Sequence, residues 1–375
     1  MSVPTFSVIL PCYNIVPYLG NCLDSIFSND MTGNELILVN DGSTDAFLPF
    51  CRDYFSLQTD SVFFEGDYKG CHILILTQKN HGPSYSRNRG IELATRDYCL
   101  FVDPDDSVSH TWISEIRLAL KTSSPDMLLF GFHQIKENKD GSTDSQTILP
   151  LQQYCTCTKE DTIHELLPKY IGRSVQNVQN WAKSGVFSPL MEHHAIWRIA
   201  YRRSFLTENS IRFPTQIVLN EDGIFNADCI THAVHFSTLM KPLYYYHQRP
   251  AGAYSGRARS GADLVSNKIA LLKERIRIID SLLHQYPEVN YDMIAGATIL
   301  SIYEMLLLAP KEYHRIKAEY ITTPAVLEMI RNMPYVGKTT FDVPLFLLKH
   351  KCFYPLHLLF MTAGIARNRI GEKYK

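Results

Sequence analysis

Several familiar signatures are missing from this 375-residue chain, and each absence removes a class of function. No Gly-x-Gly-x-x-Gly follows the first apolar run and no Gly-x-x-x-x-Gly-Lys-Ser/Thr occurs, so neither a dinucleotide fingerprint nor a P-loop is supported. The nine cysteines are odd in number, spread along the chain, and include no Cys-x-x-Cys. That pattern speaks against a disulfide framework and against zinc, gives Cys155-Thr-Cys157 no function, and fits a reducing cytoplasm. The most apolar C-terminal segment, Phe341 to Ala366, is interrupted by Lys349, His350, Lys351, Pro355 and His357. It falls short of the roughly 20 apolar residues a bilayer-crossing helix needs. The first strand begins almost at Met1 with no basic, apolar and cleavable leader before it, so export is not expected. There is no internal repeat and no low-complexity tract. Net charge is −1, and a nucleic acid polymer is not an expected partner.

What is present begins with a chain that is 45% hydrophobic and 20% charged, enough for one large core with an appended region. Phe6 to Leu10 is an apolar run that stops at Pro11, Cys12, Tyr13 and Asn14; Leu19, Leu23, Ile26 and Phe27 follow at helical spacing. Glu35 to Asn40 repeats the pattern and runs into Asp41, Gly42, Ser43, Thr44 and Asp45. Cys71 to Thr77 leads through Asn80, Gly82 and Pro83 into a helix with Tyr85, Ile91 and Ala94. Strands alternating with helices predict right-handed βαβ units, hence an α/β fold with a mainly parallel central sheet covered by helices on both faces. In such sheets the ligand crevice lies beyond the carboxyl ends of the strands. Asn14, Asp41, Asp45, Asn80 and Arg87 all fall there.

Tyr98 to Ser107, YCLFVDPDDS, is the most informative segment, because an apolar strand ends in Asp103, Asp105 and Asp106. Unneutralised carboxylates at the end of a buried strand repel one another, and a hard divalent ion, Mg²⁺ or Mn²⁺, relieves that repulsion. Asp103 and Asp105 are the expected ligands, from either side of a turn shaped by Pro104. Taken singly, this motif also serves as an ordinary helix-capping turn, and Asn40 to Asp45 as a polar turn in which Asp45 caps the next helix.

Together the segments resemble the family-two inverting glycosyltransferases of GT-A fold. Ser7-Val-Ile-Leu-Pro-Cys-Tyr-Asn14, Val39-Asn-Asp-Gly-Ser-Thr-Asp45, Asn80-His-Gly-Pro-Ser-Tyr-Ser-Arg-Asn-Arg-Gly90 and Phe101-Val-Asp-Pro-Asp-Asp106 stand in the family's order and at similar spacing. The resemblance implies that Pro11 and Asp41 hold the nucleotide; Tyr13, Asn14, Asp45 and Asn80, on the same edge, are expected to line the nucleotide-sugar site with them. It also implies that Arg87 and Asn88 support the pocket and diphosphate, and that Asp103 and Asp105 engage donor and metal. It predicts an acidic pair downstream, which Glu221 and Asp222 supply, with Asp222 as base for an acceptor hydroxyl and Glu221 orienting it. By position alone the pair equally suits a helix N-terminus.

Further on, Leu243-Tyr-Tyr-Tyr-His-Gln-Arg249 precedes Gly252 and Ser255, where the family often has an aromatic strand, a basic residue and a Gly-Ser turn. His247 stands where Arg is common and Ala253 where Ser is common. Arg249 is therefore the expected diphosphate clasp, and His247 either approaches the metal or is a buried, backbone-bonded ring. The Gln-x-x-Arg-Trp motif of processive synthases is absent, which argues for one sugar per encounter. The implied activity is metal-dependent inverting transfer from a nucleotide-sugar, expected to be a UDP-sugar, to a glycan or a polyprenyl-diphosphate-linked oligosaccharide in surface polysaccharide synthesis. Two other enzyme and binding classes fit the sequence less well. A nucleotidyltransferase would need a Gly-rich Arg-Lys loop that is missing near the N-terminus, and an inactive glycan-binding protein would not need the acidic set.

The expected domains are 1–257, with a nucleotide half to about residue 110 and an acceptor half from 111, and a helical region 258–375. The acceptor is expected to be selected near residues 150–215. Asn138 to Ser145 reads as a polar hairpin or loop, and His193 and His194 as packing or surface residues. Val265, Ile269, Leu272, Ile276, Ile279 and Leu283 form a helical stripe that suits a core and, less well, a dimer seam. Oligomeric state is left open. Residues 1–110 hold 6 Lys/Arg against 14 Asp/Glu, while 338–375 hold 7 against 2. The acidic half needs a cation before it accepts a diphosphate. The basic, apolar tail reads either as a surface facing the inner membrane or as helices packed on the body.

Overall fold

The computed structural model describes residues 3–56, 63–138, 140–156, 158–185, 192–249 and 260–373. Close contacts divide the chain into one unit of 1–164, 193–215 and 221–252, and a second of 165–192, 216–220 and 253–375. The expected break near residue 258, with Gly252, Ala253, Ser255, Gly256 and Arg257, lies outside the described residues, as does Cys157.

The first unit is built on eleven described strands: β1 (Phe6–Cys12), β2 (Glu35–Asp41), β3 (Phe63–Tyr68), β4 (Cys71–Gln78), β5 (Tyr98–Phe101), β6 (Ser107–Val108), β7 (Met127–Glu137), β8 (Thr143–Ile148), β9 (Cys155–Thr156), β10 (Ile199–Arg202) and β11 (Phe236–Gln248). They run in the order β3-β4-β2-β1-β5-β10-β7-β11-β6, with β8 on β7 and β9 on β11. Neighbours among β4, β2, β1 and β5 are parallel, as the βαβ pattern predicts, and β7 and β11 form a second parallel pair. The sheet as a whole is mixed, because β3 joins β4, and β10 joins both β5 and β7, in antiparallel sense.

Helices α1 (Val16–Phe27), α2 (Phe47–Phe55), α3 (Pro83–Leu93) and α4 (Trp112–Thr122) follow successive parts of the sheet. Every residue of β2 is buried, as a parallel strand covered on both faces should be. Alternation along β1 shows the two faces. Phe6, Val8, Leu10 and Cys12 join a core with Leu19, Cys22, Leu23 and Ile26 of α1 and Trp112, Ile113 and Ile116 of α4. Ile9 points the other way, against α3. There a β-carbon on Gly90 would lie 2.3 Å from Ile9 Cγ2, so the helix approaches the strand where its residue has no side chain.

The remaining helices are α5 (Lys159–Tyr170), α6 (Val175–Ser184), α7 (Arg203–Glu208), α8 (Glu221–His232), α9 (Gly261–Leu282), α10 (Asp292–Leu308), α11 (Tyr313–Ile316), α12 (Pro324–Asn332), α13 (Thr339–Lys349) and α14 (Phe353–Lys373). The stripe on α9 is core of the second unit: Val265, Ile269, Leu272 and Ile279 are buried, as are Ile294, Ile299, Ile302 and Met305 of α10. Among the described residues no single helix is long and apolar enough to cross a membrane. The pair Asp292–Leu308 and Pro310–Ile321 qualifies only jointly and is bent by 111°.

Candidate active site

The carboxyl ends of β1, β2 and β4 carry a hydrogen-bonded rim. Asp41, the last residue of β2, is buried; its Oδ1 accepts from Gln78 Nε2 at 2.8 Å and from the His81 amide at 2.9 Å, and its Oδ2 from the Gly82 amide at 2.7 Å. Asn80 Nδ2 donates to the Asp41 carbonyl at 3.0 Å. Asp41 thus fixes the loop that starts α3, whose N-cap Gly82 has φ of +87° and is followed by Pro83. Gly42, at φ +73°, brings its backbone against this loop, where a β-carbon would sit 2.8 Å from the Asn80 amide nitrogen.

Asn14 and Asp45 tie the first two loops together. Asn14 Oδ1 accepts from the amides of Thr44 at 2.7 Å and Asp45 at 3.2 Å. Asp45 Oδ2 accepts from the Val16 amide at 3.0 Å, so it caps α1. The alternative reading of this segment, in which Asp45 caps the next helix, does not hold: the N-cap of α2 is Ala46, with no side-chain cap. Pro11 is half-buried at the end of β1, and Tyr13 beside it is exposed. Asn88 does not turn its amide to the rim. Its Nδ2 donates to the Phe213 carbonyl at 2.9 Å and its Oδ1 accepts from the Phe213 amide at 2.8 Å, pinning the 211–214 segment to α3.

One helical turn into α3, Arg87 is the centre of the site. Its Nη2 donates to Asp103 Oδ1 at 3.1 Å, and its Nη1 to Glu221 Oε1 at 3.1 Å and Asp222 Oδ1 at 3.3 Å. A single buried guanidinium therefore joins the carboxylate after β5 to the acidic pair in the first turn of α8. Burial opposes a charge on Arg87, but Asp222, Asp103 and Glu221 outweigh it and hold its pKa above the ordinary arginine value. Phe213 lies under it, with the ring centroid 5.5 Å from the guanidinium carbon.

On the other side of the DPDD turn, Asp106 is buried. Its Oδ2 accepts from the Tyr244 hydroxyl at 2.9 Å and its Oδ1 from the His247 amide at 2.7 Å; the Tyr244 oxygen also accepts from the Asp103 amide at 3.1 Å. Burial, then Asp103 and Asp105, push the Asp106 pKa well above the usual carboxylate range, against the two hydrogen bonds. Arg249 Nη1 donates to the Asp105 carbonyl at 2.6 Å and lies 3.4 Å from Asp105 Oδ2, while its Nε is 3.4 Å from Glu137. Tyr18 underlies that guanidinium, its centroid 4.4 Å away. His247 Nε2 is 3.3 Å from Ser107 Oγ, and Nδ1 is 3.8 Å from Glu137. Burial, then Arg249, lower its pKa.

The expected trio of Asp103, Asp105 and His247 does not converge. Among the described residues no three His, Cys, Asp or Glu side chains assemble a metal position, because the His247 ring is turned to Ser107 and Glu137. Two partly exposed carboxylates remain, at 31% for Asp103 and 34% for Asp105, beside the buried Asp106. That donor set suits Mg²⁺ or Mn²⁺, which bind through one or two carboxylates with waters and phosphate oxygens. Gln78, Glu137 and Tyr18 complete the site from outside the sequence motifs, together with Tyr244 of the aromatic segment Leu243 to Arg249. The first three reach it from different parts of the sheet or from α1, so no spacing announced them.

The family model for glycosyl transferase family 2 matches residues 7–191. EpsJ of Bacillus subtilis (strain 168), an uncharacterized glycosyltransferase, is 27% identical over 250 residues, covering 66% of this chain and 62% of EpsJ. The poly(ribitol-phosphate) beta-N-acetylglucosaminyltransferase TarS of Staphylococcus aureus (strain Mu50) is 23% identical over 255 residues, covering 68% of this chain and 37% of TarS. This chain thus aligns with less than two thirds of the length of either relative. The crystal structure of S. aureus TarS residues 1–349 with UDP-GlcNAc superposes with a TM-score of 0.57 at 19% identity, over 96% of this chain and 91% of that one. That likeness shows the fold, a GT-A arrangement. The motif-bearing strands, Arg87 and Asp103 all fall within the family-model match, so residues 7–191 carry a glycosyl transferase family 2 domain.

Proposed function

We propose that this protein transfers a sugar from a nucleotide-sugar to a hydroxyl of a glycan or lipid-linked oligosaccharide, with inversion at the anomeric carbon. The observation that carries the reading is the Arg87 bridge, which sets a donor-side carboxylate, Asp103, and the acidic pair Glu221 and Asp222 on one buried cation. A single displacement needs such an arrangement: a leaving diphosphate on one side, a proton acceptor on the other, and no covalent enzyme intermediate. The acceptor hydroxyl loses its proton to Asp222 as its oxygen forms the bond to the anomeric carbon and the nucleoside diphosphate leaves. Arg87 orients Asp222 through Oδ1, and Glu221 holds the other side of the same Nη1. Arg249, stacked on Tyr18, is aimed at the Asp105 side and clasps the diphosphate. Asp103 and Asp105 would hold Mg²⁺ or Mn²⁺, which when bound supplies positive charge for the leaving diphosphate.

A UDP-sugar donor is supported by TarS, whose structure was determined with UDP-GlcNAc. TarS and a Bacillus spizizenii relative, 25% identical over 246 residues, are named for transfer of N-acetylglucosamine and glucose respectively, so the sugar is left open. Surface polysaccharide assembly in the cytoplasm is the setting we assign.

The test is Asp222→Asn, assayed for nucleoside diphosphate release against a panel of UDP-sugars with Mg²⁺ or Mn²⁺. Turnover should fall by about 10²- to 10⁴-fold while donor binding, followed by thermal shift, is retained. Near-normal turnover would remove Asp222 as the base. Release of pyrophosphate instead of nucleoside diphosphate would identify nucleotidyl transfer and overturn the reading.

A further inference from the structure

Helix α14 has two apolar faces, and the second unit covers one of them. On the covered face Leu356 is fully buried, the His357 ring stacks on Tyr313 at 4.2 Å, and Phe360 lies 5.5 Å from Tyr303. On the other face Tyr354 is 65% exposed, and Leu358, Leu359 and Met361 are 43%, 38% and 38% exposed. No Asp, Glu, Lys or Arg occurs from Cys352 to Ala366. Lys349, His350 and Lys351 precede this stretch, and Arg367, Arg369 and Lys373 follow it. Just upstream, the exposed Tyr335, Val343 and Phe346 line an open recess of roughly 460 Å³ in the same unit.

We propose that the outward face of α14 docks on an anionic lipid surface. A helix lying in a membrane interface needs an apolar strip to enter the acyl boundary and cations to meet the headgroups. Here the strip is centred on Tyr354, Leu358 and Met361, spaced by four and three residues, and basic residues precede and follow it in the sequence. A second copy of the chain fits less well. A two-fold contact through this face would bring basic flanks onto basic flanks whichever way the helices ran. Four partly exposed side chains also offer far less than the roughly 800 Å² per partner of a stable dimer. The inference rests on the transfer reading only in that a lipid-borne acceptor gives the docking a use.

The test is flotation of the full chain with phosphatidylcholine vesicles, with and without phosphatidylglycerol. The wild-type protein should float with the anionic vesicles. Association should weaken at least about tenfold on neutral vesicles, in high salt, and in the variant Tyr354→Ser/Leu358→Ser/Met361→Ser. A second variant, Lys349→Glu/Lys351→Glu, leaves the apolar strip in place and should also lose anionic selectivity, which keeps the test decisive if the triple variant misfolds. Failure of the wild type to float, or undiminished flotation of a well-folded triple variant, overturns the proposal. So does a vesicle-free dimer that the triple variant dissociates, which would give the face to a second copy. No donor or acceptor is present, so the outcome is separate from that of the Asp222→Asn assay.

Discussion

Arg87 works by holding charges that burial would otherwise set against the fold. Glu221 is almost wholly buried, Asp222 is 23% exposed and Asp103 31%, and all three face one guanidinium. Removing one partner of a buried ion pair leaves the other uncompensated, which typically costs about 3–5 kcal/mol. Arg87→Met should therefore lower the unfolding free energy from urea titration by an amount in that range, seen as a lower midpoint. Arg87→Lys, which keeps the charge but not the planar fork, should lose less stability. A wild-type midpoint for Arg87→Met would mean that the guanidinium does not carry the acidic set. The roles of these residues were partly legible in the sequence. That Asp103, Arg87 and the downstream pair belong together followed from the motifs, but that one arginine bonds all three did not. Asn88 shows the limit most clearly: the resemblance implied that it supports the pocket and diphosphate, but that both ends of its amide engage Phe213 is visible only in the fold.

At the scale of elements, the site depends on how closely α3 sits on β1, since α3 carries Arg87 and β1 ends at the rim. Gly90 sets that distance. Gly90→Ala would place a β-carbon 2.3 Å from Ile9 Cγ2 and 3.3 Å from Cγ1, in a place where both residues are buried. Overpacking of this kind costs about 1–3 kcal/mol, and the shift it forces should also displace Arg87. We expect Gly90→Ala to lower the melting temperature and turnover together. Ile9→Ala, destabilising alone, should cost less in the Gly90→Ala background; simple additivity in a double-mutant cycle would place the contact elsewhere. The parallel strands were readable because they are apolar runs buried on both faces. The antiparallel strand β3 was not, since Phe63 to Tyr68 alternates exposed and half-buried positions and includes Glu65, Gly66 and Asp67. Its hairpin to β4 turns at Lys69 and Gly70, at φ of +50° and +76°, with only the glycine as a visible sign. Short β10, inserted antiparallel between β5 and β7, is likewise a tertiary choice that four residues cannot announce.

Across the whole chain, every residue assigned here to donor, metal or base lies in the first unit, and the outward face of α14 lies in the second. The two units each bury a core of their own, so a ligand that binds the site acts first on the free energy of the unit that holds it. Ligand at 100 times its Kd stabilises the bound state by about 2.7 kcal/mol, or roughly a hundredfold slowing of amides that exchange through opening of that unit. Hydrogen exchange with a UDP-sugar and Mg²⁺ should therefore slow in peptides covering β2, the start of α3, the DPDD turn, the start of α8 and β11, and leave α9 and α10 unchanged. Chelator should abolish the effect. Asp105→Ala should weaken it, because that change removes one of the two carboxylates proposed to hold the ion while leaving Asp106, Tyr244 and the Arg87 cluster in place. Protection equal in the presence of chelator would show that the donor is held by the rim and Arg249 without a metal. Protection confined to α9 and α10 would move the donor out of the first unit, and with it the base assigned to Asp222.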